Sequence, residues 1–363
     1  MNPVLNAQFF SPVVLQLVPY VPGEQPKMAN LVKLNTNENP YPPSPRVVAA
    51  IQQAAQQGLQ LYPDPDSSAL RDVIAQHLDL TPQQVFLGNG SDEVLGHAFF
   101  TFFQQVCPLL MPDISYSFYK VYCGLYSITA RTVPLRDDLQ LNVDDYAAPD
   151  QTVAGVVIAN PNAPTGIGLP LADIEKLLQM HPNRVVLIDE AYVDFGGTSA
   201  VALINRYPNL LVVHTLSKSR SLAGLRIGYA CGQAHLIDAL NRVKNSFNSY
   251  PVDRLALAGG VAAFEDQAYF EQTRQAVMSS REGLVLALED LGFEVLPSQT
   301  NFVFARHPAH EGAALAAGLR AQGVLVRHFK QARIDAYLRI SVGTPEQCDQ
   351  LVAALAKLVK AKA

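Results

Sequence analysis

Residues 210–228 read LLVVHTLSKSRSLAGLRIG. The run Leu210 to His214 has the length and β-branched content of a buried strand. It is followed by Thr215, Leu216, Ser217 and Lys218, and Gly224 leads into a second apolar run from Arg226 to Ala230. A lysine at a strand end among small hydroxyl residues, eight residues before an arginine, sets two cations where one ligand can meet both. A lone lysine is more often solvated surface. One that serves as a Schiff-base nucleophile must give up its proton readily, which burial and a neighbouring cation favour. Arg226 can hold a phosphate bidentately, with hydroxyls from Thr215 and Ser217 beside it.

The same pattern recurs on the N-terminal side. Short β-branched runs at Gln84 to Leu87, Ala154 to Ala159 and Arg184 to Ile188 are separated by helix-like segments, and a helical stretch spans about 46–57. Strands apolar on both faces, alternating with helices, predict an α/β domain built on a mostly parallel sheet. From about 251 onward a long helical pattern covers Ala256 to Leu291. Phe293 to Leu296, Asn301 to Ala305, Val324 to Val326 and Tyr337 to Val342 then read as strands, with helices at 311–322 and at the C-terminus. The expected division is an N-terminal arm over 1–40, rich in proline and asparagine, a large α/β domain over 41–250, and a small α+β domain over 251–363 joined by part of the N-terminal segment. No internal repeat and no low-complexity tract interrupts this order.

Composition narrows the function classes. With 49% hydrophobic and 16% charged residues over 363 positions, the chain has the make-up of a folded globular protein. A net charge of −5 gives no polybasic face for nucleic acid or an anionic membrane, so any phosphate recognition is local. Cys107, Cys123, Cys231 and Cys348 are scattered, without metal-ligand spacing, and read as reduced thiols; no metal site is expected. Without a basic n-region before an apolar h-region, or an apolar run of membrane-spanning length, the expected location is the cytoplasm.

In an open α/β sheet ligands bind beyond the carboxyl ends of the strands, so the residues after each run carry the chemistry. Val85 to Leu87 leads into Gly88, Asn89, Gly90, Ser91, Asp92 and Glu93. A glycine turn into a helix start leaves free amides and a positive dipole end that suit a phosphate, although the same residues also make an ordinary serine-capped turn. A third glycine for a dinucleotide fingerprint and the lysine of a P-loop are both missing. Ala154 to Ala159 leads into Asn160-Pro161-Asn162-Ala163-Pro164-Thr165-Gly166, a rigid loop whose amides can bond a ligand ring. Arg184 to Ile188 leads into Asp189, Glu190, Ala191 and Tyr192. A carboxylate at a buried strand end needs a cation, and the protonated pyridine nitrogen of pyridoxal phosphate (PLP) is one; backbone amides are the other way to satisfy it. Tyr192 can reach the cofactor's phenolic oxygen or fill core. A phosphate cup, a carboxylate for a pyridinium, a phenol and a nucleophilic lysine are together what PLP uses.

Asn160 to Gly166, Asp189 to Tyr192 and the Lys218 to Arg226 spacing resemble the fold-type I, aspartate-aminotransferase-like superfamily. Within it, the chain is similar to the histidinol-phosphate aminotransferase family of class-II PLP-dependent enzymes. The narrower likeness rests on Pro19-Tyr20-Val21-Pro22-Gly23, Lys33 to Tyr41, Leu61-Tyr62-Pro63-Asp64 and Tyr337 to Gly343, and extends over nearly the whole chain. The resemblance implies a seven-stranded, mostly parallel sheet flanked by helices, with Lys218 as the Schiff-base lysine and proton shuttle. It implies Asp189 on the pyridinium, Tyr192 on the phenolic oxygen and Tyr116 stacked on the ring. Gly90, Ser91, Thr215, Ser217 and Arg226 would hold the phosphate, with Asp92 a further cofactor-binding residue. Tyr62 would reach the cofactor phosphate of a neighbouring subunit, which implies a homodimer with shared sites. Tyr20, Asn37, Arg327 and Arg339 would bind substrate, with Tyr20, Arg327 and Arg339 on the phosphate of histidinol phosphate in one half-reaction and on the carboxylates of glutamate or 2-oxoglutarate in the other. For Arg327 a plain surface charge is the competing reading. One departure stands out. The family often has a second asparagine directly before Pro-Thr-Gly, where this chain has Ala163, so the ring bond falls to Asn162 or to Tyr192 alone.

The expected reaction is reversible amino transfer between histidinol phosphate and 2-oxoglutarate, a step of histidine biosynthesis. The nearest rivals are an aromatic amino-acid aminotransferase or a threonine-phosphate decarboxylase of the same fold, which would share every cofactor residue. A nucleotide-binding or non-catalytic α/β protein is the distant rival, and it makes Lys218 dispensable.

Overall fold

The computed structural model describes residues 7–26 and 31–360. Its strands are β1 (Val32–Leu34), β2 (Val85–Asn89), β3 (Leu109–Pro112), β4 (Ala130–Val133), β5 (Gly155–Ala159), β6 (Val185–Asp189), β7 (Leu210–Thr215), β8 (Ile227–Gly232), β9 (Glu294–Val295), β10 (Phe302–Arg306), β11 (Val324–His328) and β12 (Tyr337–Ser341). Strands β2 to β8 form one sheet in the order β2-β8-β7-β6-β5-β3-β4. All its pairings are parallel except those of β8, which runs antiparallel to β2 and β7.

Period-two alternation explains why the central strands are apolar throughout. Along β5, Val156 and Ile158 enter the core on one face while Val157 and Ala159 enter the core on the other; Leu210 and Val212 against Leu211 and Val213 do the same along β7. Each valine, leucine or isoleucine among them taken fully out of water contributes about 1.5–3 kcal/mol. The runs expected as strands all form, shifted by a residue or two. Strands β3 and β4 are additional. β4 is an edge strand whose only buried residue is Val133, so it carries almost no apolar pattern.

The second sheet has the order β1-β11-β12-β10-β9, with β1 parallel to β11 and its other pairings antiparallel. The segment expected as an irregular arm over 1–40 is therefore partly regular. Val32 and Leu34 are buried in the core of this sheet, and Val32 to Leu34 pair with Val324 to Val326. The long helical pattern over 256–291 is two helices, Arg254–Glu265 and Gln267–Asp290, parted at Asp266, whose carboxylate accepts from the Tyr269 amide and the Ser44 hydroxyl. Residues expected in the small unit divide accordingly. Ala256, Ala262, Ala263 and Phe264 of the first helix pack into the larger sheet's core, whereas Val277, Leu284 and Leu288 of the second pack against the smaller sheet. One aspartate in an unbroken 3.6-residue period gives little sign of that break.

The four cysteines are free; Cys107 is partly exposed and the other three are buried. Among the described residues no helix is long and apolar enough to cross a membrane, and no cluster of His, Cys, Asp and Glu could hold a metal ion.

Candidate active site

A cavity of about 260 Å³ lies beyond the carboxyl ends of β5, β6 and β7, which contribute Ala159, Asp189 and Thr215 to its wall. Ala159 pairs with Asp189 and Asp189 with Val213, so the first two ends lie level and Thr215 stands two residues beyond them. The smaller sheet and residues 20–25 and 35–38 wall the cavity on its other sides, through Tyr20, Asn35, Asn37, Arg327 and Arg339.

Asp189 is buried, accepting from the Tyr119 hydroxyl at 2.8 Å and the Ala191 amide at 3.2 Å. Burial pushes its carboxyl up to about 6, against the downward pull of those two hydrogen bonds. A buried carboxylate held with its charge opposed in this way is stabilised by a cation laid against it, as a protonated pyridine nitrogen would be. Tyr119 was not among the expected residues. In the helix Phe118–Leu125 it looks like any core aromatic, and only the tertiary packing of the core it shares with Leu187 brings its hydroxyl to Asp189. Tyr119→Phe removes a bond to a charged group worth about 1.5–3 kcal/mol. Asp189 then moves further up, fewer molecules carry the carboxylate at a given pH, and the apparent Kd for PLP is expected to rise about 10-fold at pH 7 with its pH dependence displaced upward. Equilibrium dialysis at several pH values measures this, and an unchanged profile separates Tyr119 from Asp189.

At the other end, the helix Gly90–Ala98 begins directly after β2 and presents Ser91 and Asp92 to the cavity. Gly90 has φ +78°, and a Cβ there would stand 2.4 Å from Arg226 Nη2; at Gly228 on β8 a Cβ would stand 2.2 Å from the Ser91 amide nitrogen. These two glycines let turn, arginine and strand close into one cup, as an anion site requires. Arg226 donates to Asp92 Oδ2 at 3.1 Å, and Asp92 Oδ1 accepts from Tyr116 Oη at 3.0 Å. Asp92 thus orients the arginine and the aromatic ring. Gly228→Ala pushes a methyl into backbone, an overpacking cost of about 1–3 kcal/mol, so thermal unfolding is expected a few degrees lower. An unchanged Tm shows that the turn has room.

Lys218, Tyr192, Thr215 and Ser217 line the middle of the cavity. Lys218 Nζ lies 3.4 Å from the Thr36 carbonyl oxygen and 5.8 Å from the centre of the Tyr192 ring. Its backbone carbonyl, with that of Ser219, accepts from Asn39 Nδ2 at 3.1 and 3.2 Å, so Asn39, which carries no chemical signal of its own in the sequence, holds the lysine turn. Arg327 and Arg339 are cross-strand partners on β11 and β12. Neither has an acidic partner among the described residues. Arg339 donates to the Asn35 carbonyl at 2.9 Å, its Nε has no partner, and burial pulls its pKa down. Two adjacent guanidiniums without a carboxylate, one with an unmatched buried donor, make an anion site.

Gly90 backs the cup against Arg226 without lining the cavity, and two expected residues stand elsewhere. Asn162 is buried but does not line the cavity: its Nδ2 donates to the Ile114 carbonyl and Thr165 Oγ1 at 3.1 Å, and its Oδ1 accepts from Ser115 at 2.8 Å. Its amide is spent on its own loop and on the segment after β3, and Ala163 takes the cavity-facing position. Tyr62 is 79% exposed and stacked on Tyr250, outside its own chain's cavity. Asn37 lines the cavity, yet both polar atoms of its side chain bond within the protein, to Tyr192 and Ser341.

A doubly covered sheet with a lysine, a buried aspartate and an arginine-backed anion cup at its strand ends defines a class of protein. The chain belongs to the aminotransferase class I and II family, whose model matches residues 29–355. Its similar relatives are narrower. It is 60% identical over 352 residues to a histidinol-phosphate aminotransferase of Pseudomonas syringae pv. syringae, covering 97% of this chain and 100% of that one. It is also 60% identical over 349 residues to histidinol-phosphate aminotransferase 1 of Pseudomonas aeruginosa, covering 96% and 99%. The crystal structure of histidinol-phosphate aminotransferase from Sinorhizobium meliloti in complex with pyridoxal-5'-phosphate superposes with a TM-score of 0.88 at 26% identity, over 98% of each chain.

Proposed function

We propose that this chain is a PLP-dependent aminotransferase that moves the amino group of histidinol phosphate to 2-oxoglutarate, giving imidazole acetol phosphate and L-glutamate reversibly, as a step of histidine biosynthesis in the cytoplasm. The observation that carries this reading is the position of Lys218 in one cavity with buried Asp189 and the acid-free pair Arg327 and Arg339. The high identity to histidinol-phosphate aminotransferases over nearly full length supports the substrate.

When bound, PLP supplies an electron sink for the pair left behind as a proton leaves the substrate carbon. The protein does the rest. Asp189 keeps the ring nitrogen protonated. The Gly90 and Ser91 amides, Thr215, Ser217 and Arg226 hold the phosphate, and Tyr116 covers the ring. Tyr192 donates to the phenolic oxygen, and with Ala163 lacking an amide it is the principal side-chain donor there. Lys218 anchors the cofactor and then carries the proton between the substrate carbon and C4′. Tyr20, Arg327 and Arg339 hold the substrate phosphate, and in the return half-reaction a glutamate carboxylate, so both substrates present an anion to one site.

Arg339→Lys keeps charge but loses the planar fork, so KM for both anionic substrates is expected to rise about 10- to 100-fold with a smaller change in kcat. Initial rates with histidinol phosphate, threonine phosphate and aromatic amino acids, measured on wild type and variant, test the reading. Preference for another donor, or variant KM values equal to wild type, contradicts it.

Exposed Tyr62, with exposed Leu59, Leu61 and Phe247, supports a homodimer in which Tyr62 of a second copy completes the phosphate cup. Sedimentation should give the dimer mass, and Tyr62→Phe should weaken PLP retention; a monomer contradicts the shared site.

A further inference from the structure

Between the smaller sheet and Tyr192 runs a short chain of hydrogen bonds that no step above uses. The Asn37 amide nitrogen donates to Ser341 Oγ at 2.9 Å, Ser341 Oγ donates to Asn37 Oδ1 at 2.9 Å, and Asn37 Nδ2 donates to Tyr192 Oη at 3.1 Å. Asn37 and Ser341 are both buried, and Asn301 Nδ2 fixes the Asn37 carbonyl at 2.9 Å. The direction of each bond follows from what each atom can do. Ser341 Oγ already accepts from a backbone N–H. Among the described residues the one acceptor within reach of its own proton is Asn37 Oδ1. Turning the Asn37 amide over would leave that buried proton without a partner, which is costly. The amide NH2 therefore faces Tyr192, and Tyr192 Oη accepts there. Its own proton is left to point away from Asn37, into the cavity that Tyr192 lines.

We propose that Asn37 and Ser341 are positioning residues that fix the proton of Tyr192 toward the cofactor's phenolic oxygen, in a site where Ala163 supplies no amide for that oxygen. This rests on the PLP reading above. Accepting from Asn37 also polarises the phenol, so the bond it donates is stronger than an isolated tyrosine's. Asn37 has φ 57°, a left-handed conformation that asparagine tolerates and that puts its side chain back across its own backbone amide. Ser341 lies two residues after Arg339 on β12, so the residue that starts the relay and the anion arginine share one face of one strand.

The test is a pH titration of the visible absorption band of the PLP-loaded protein, without substrate. A donor at the phenolic oxygen draws electron density from it and makes the neighbouring Schiff-base proton easier to lose, so removing the donor raises the midpoint. Tyr192→Phe should raise it by about one pH unit, and Asn37→Gly or Ser341→Ala by about half as much, one hydrogen bond being worth roughly that. Glycine suits the φ of position 37, and Ser341→Thr, which keeps the hydroxyl, should restore the wild-type midpoint. In the Tyr192→Phe background, Asn37→Gly should add nothing. If Asn37→Gly leaves the midpoint in place while Tyr192→Phe moves it, or if the two shifts add in full, the relay is refuted and the PLP reading stands. If wild type shows no visible band with PLP, the cofactor reading fails and the relay falls with it.

Discussion

Lys218→Ala is expected to abolish amino transfer by about 10³-fold or more while leaving the fold and much of the cofactor affinity intact. The residue is asked to do two things, and both vanish with its amine. As a proton carrier it contributes the ~10²–10⁴-fold that a positioned acid-base group supplies, and as an anchor it holds the reacting carbon at a fixed distance. The phosphate cup does not depend on it: Gly90 and Ser91 open the helix after β2, Arg226 directly precedes β8, and Asn39 grips the lysine turn through backbone carbonyls that alanine retains. Single-turnover kinetics with PLP bound without a covalent link reads the loss. Partial rescue by a small added amine would show that the missing group is the proton carrier, and near-normal turnover would remove Lys218 from the reaction.

Asp189→Asn should come next in size. The carboxyl is pushed up to about 6 by burial, some two pH units above its usual 3.8. A carboxyl raised by burial opposes folding as pH rises from about 4 to about 6, because the folded state binds the proton more tightly than the unfolded one. Apo-protein stability should therefore fall over that window, and the Asp189→Asn substitution should flatten the fall. In the loaded protein the sign reverses. The ionised carboxylate and a ring cation stabilise each other and an asparagine cannot; a contact with an opposite charge is worth about 1–3 pH units, so its loss lowers the population of protonated ring by roughly 100-fold. Activity at pH 7 should drop by at least about that factor while PLP still binds, with the deficit smaller at lower pH. Turnover equal to wild type at pH 7–8 would take the ring pairing away from Asp189.

Much of this site is legible in the chain because parallel sheets bury both faces, and unbroken apolar runs end abruptly in polar residues. Asp189, Thr215, Ser217 and Lys218 are read that way and Arg226 from its spacing to Lys218, and all meet in one cavity. The anion arginines are not. Arg327 directly follows the Val324 to Val326 run but reads equally as a surface charge, and Arg339 sits inside its strand, so the resemblance alone points to both. Asn162 misled because an asparagine in a proline-rich loop can face a ligand or its own loop, and the Ser115, Ile114 and Thr165 contacts that decide the matter come from packing. Tyr119 and Asn39 were hidden for the same reason: an aromatic on a helix and an asparagine before a proline have ordinary local explanations. Edge strand β4 and the helix break at Asp266 show the limit for the fold, since neither changes the apolar period.

The visible spectrum of the purified, PLP-loaded protein tests amino transfer through Lys218 most directly. An absorption band near the visible edge that histidinol phosphate bleaches, and 2-oxoglutarate then restores, is the predicted result, since it requires cofactor, lysine and both half-reactions together. A band that other amino donors bleach and histidinol phosphate does not, or no band at all after PLP is added, would contradict it.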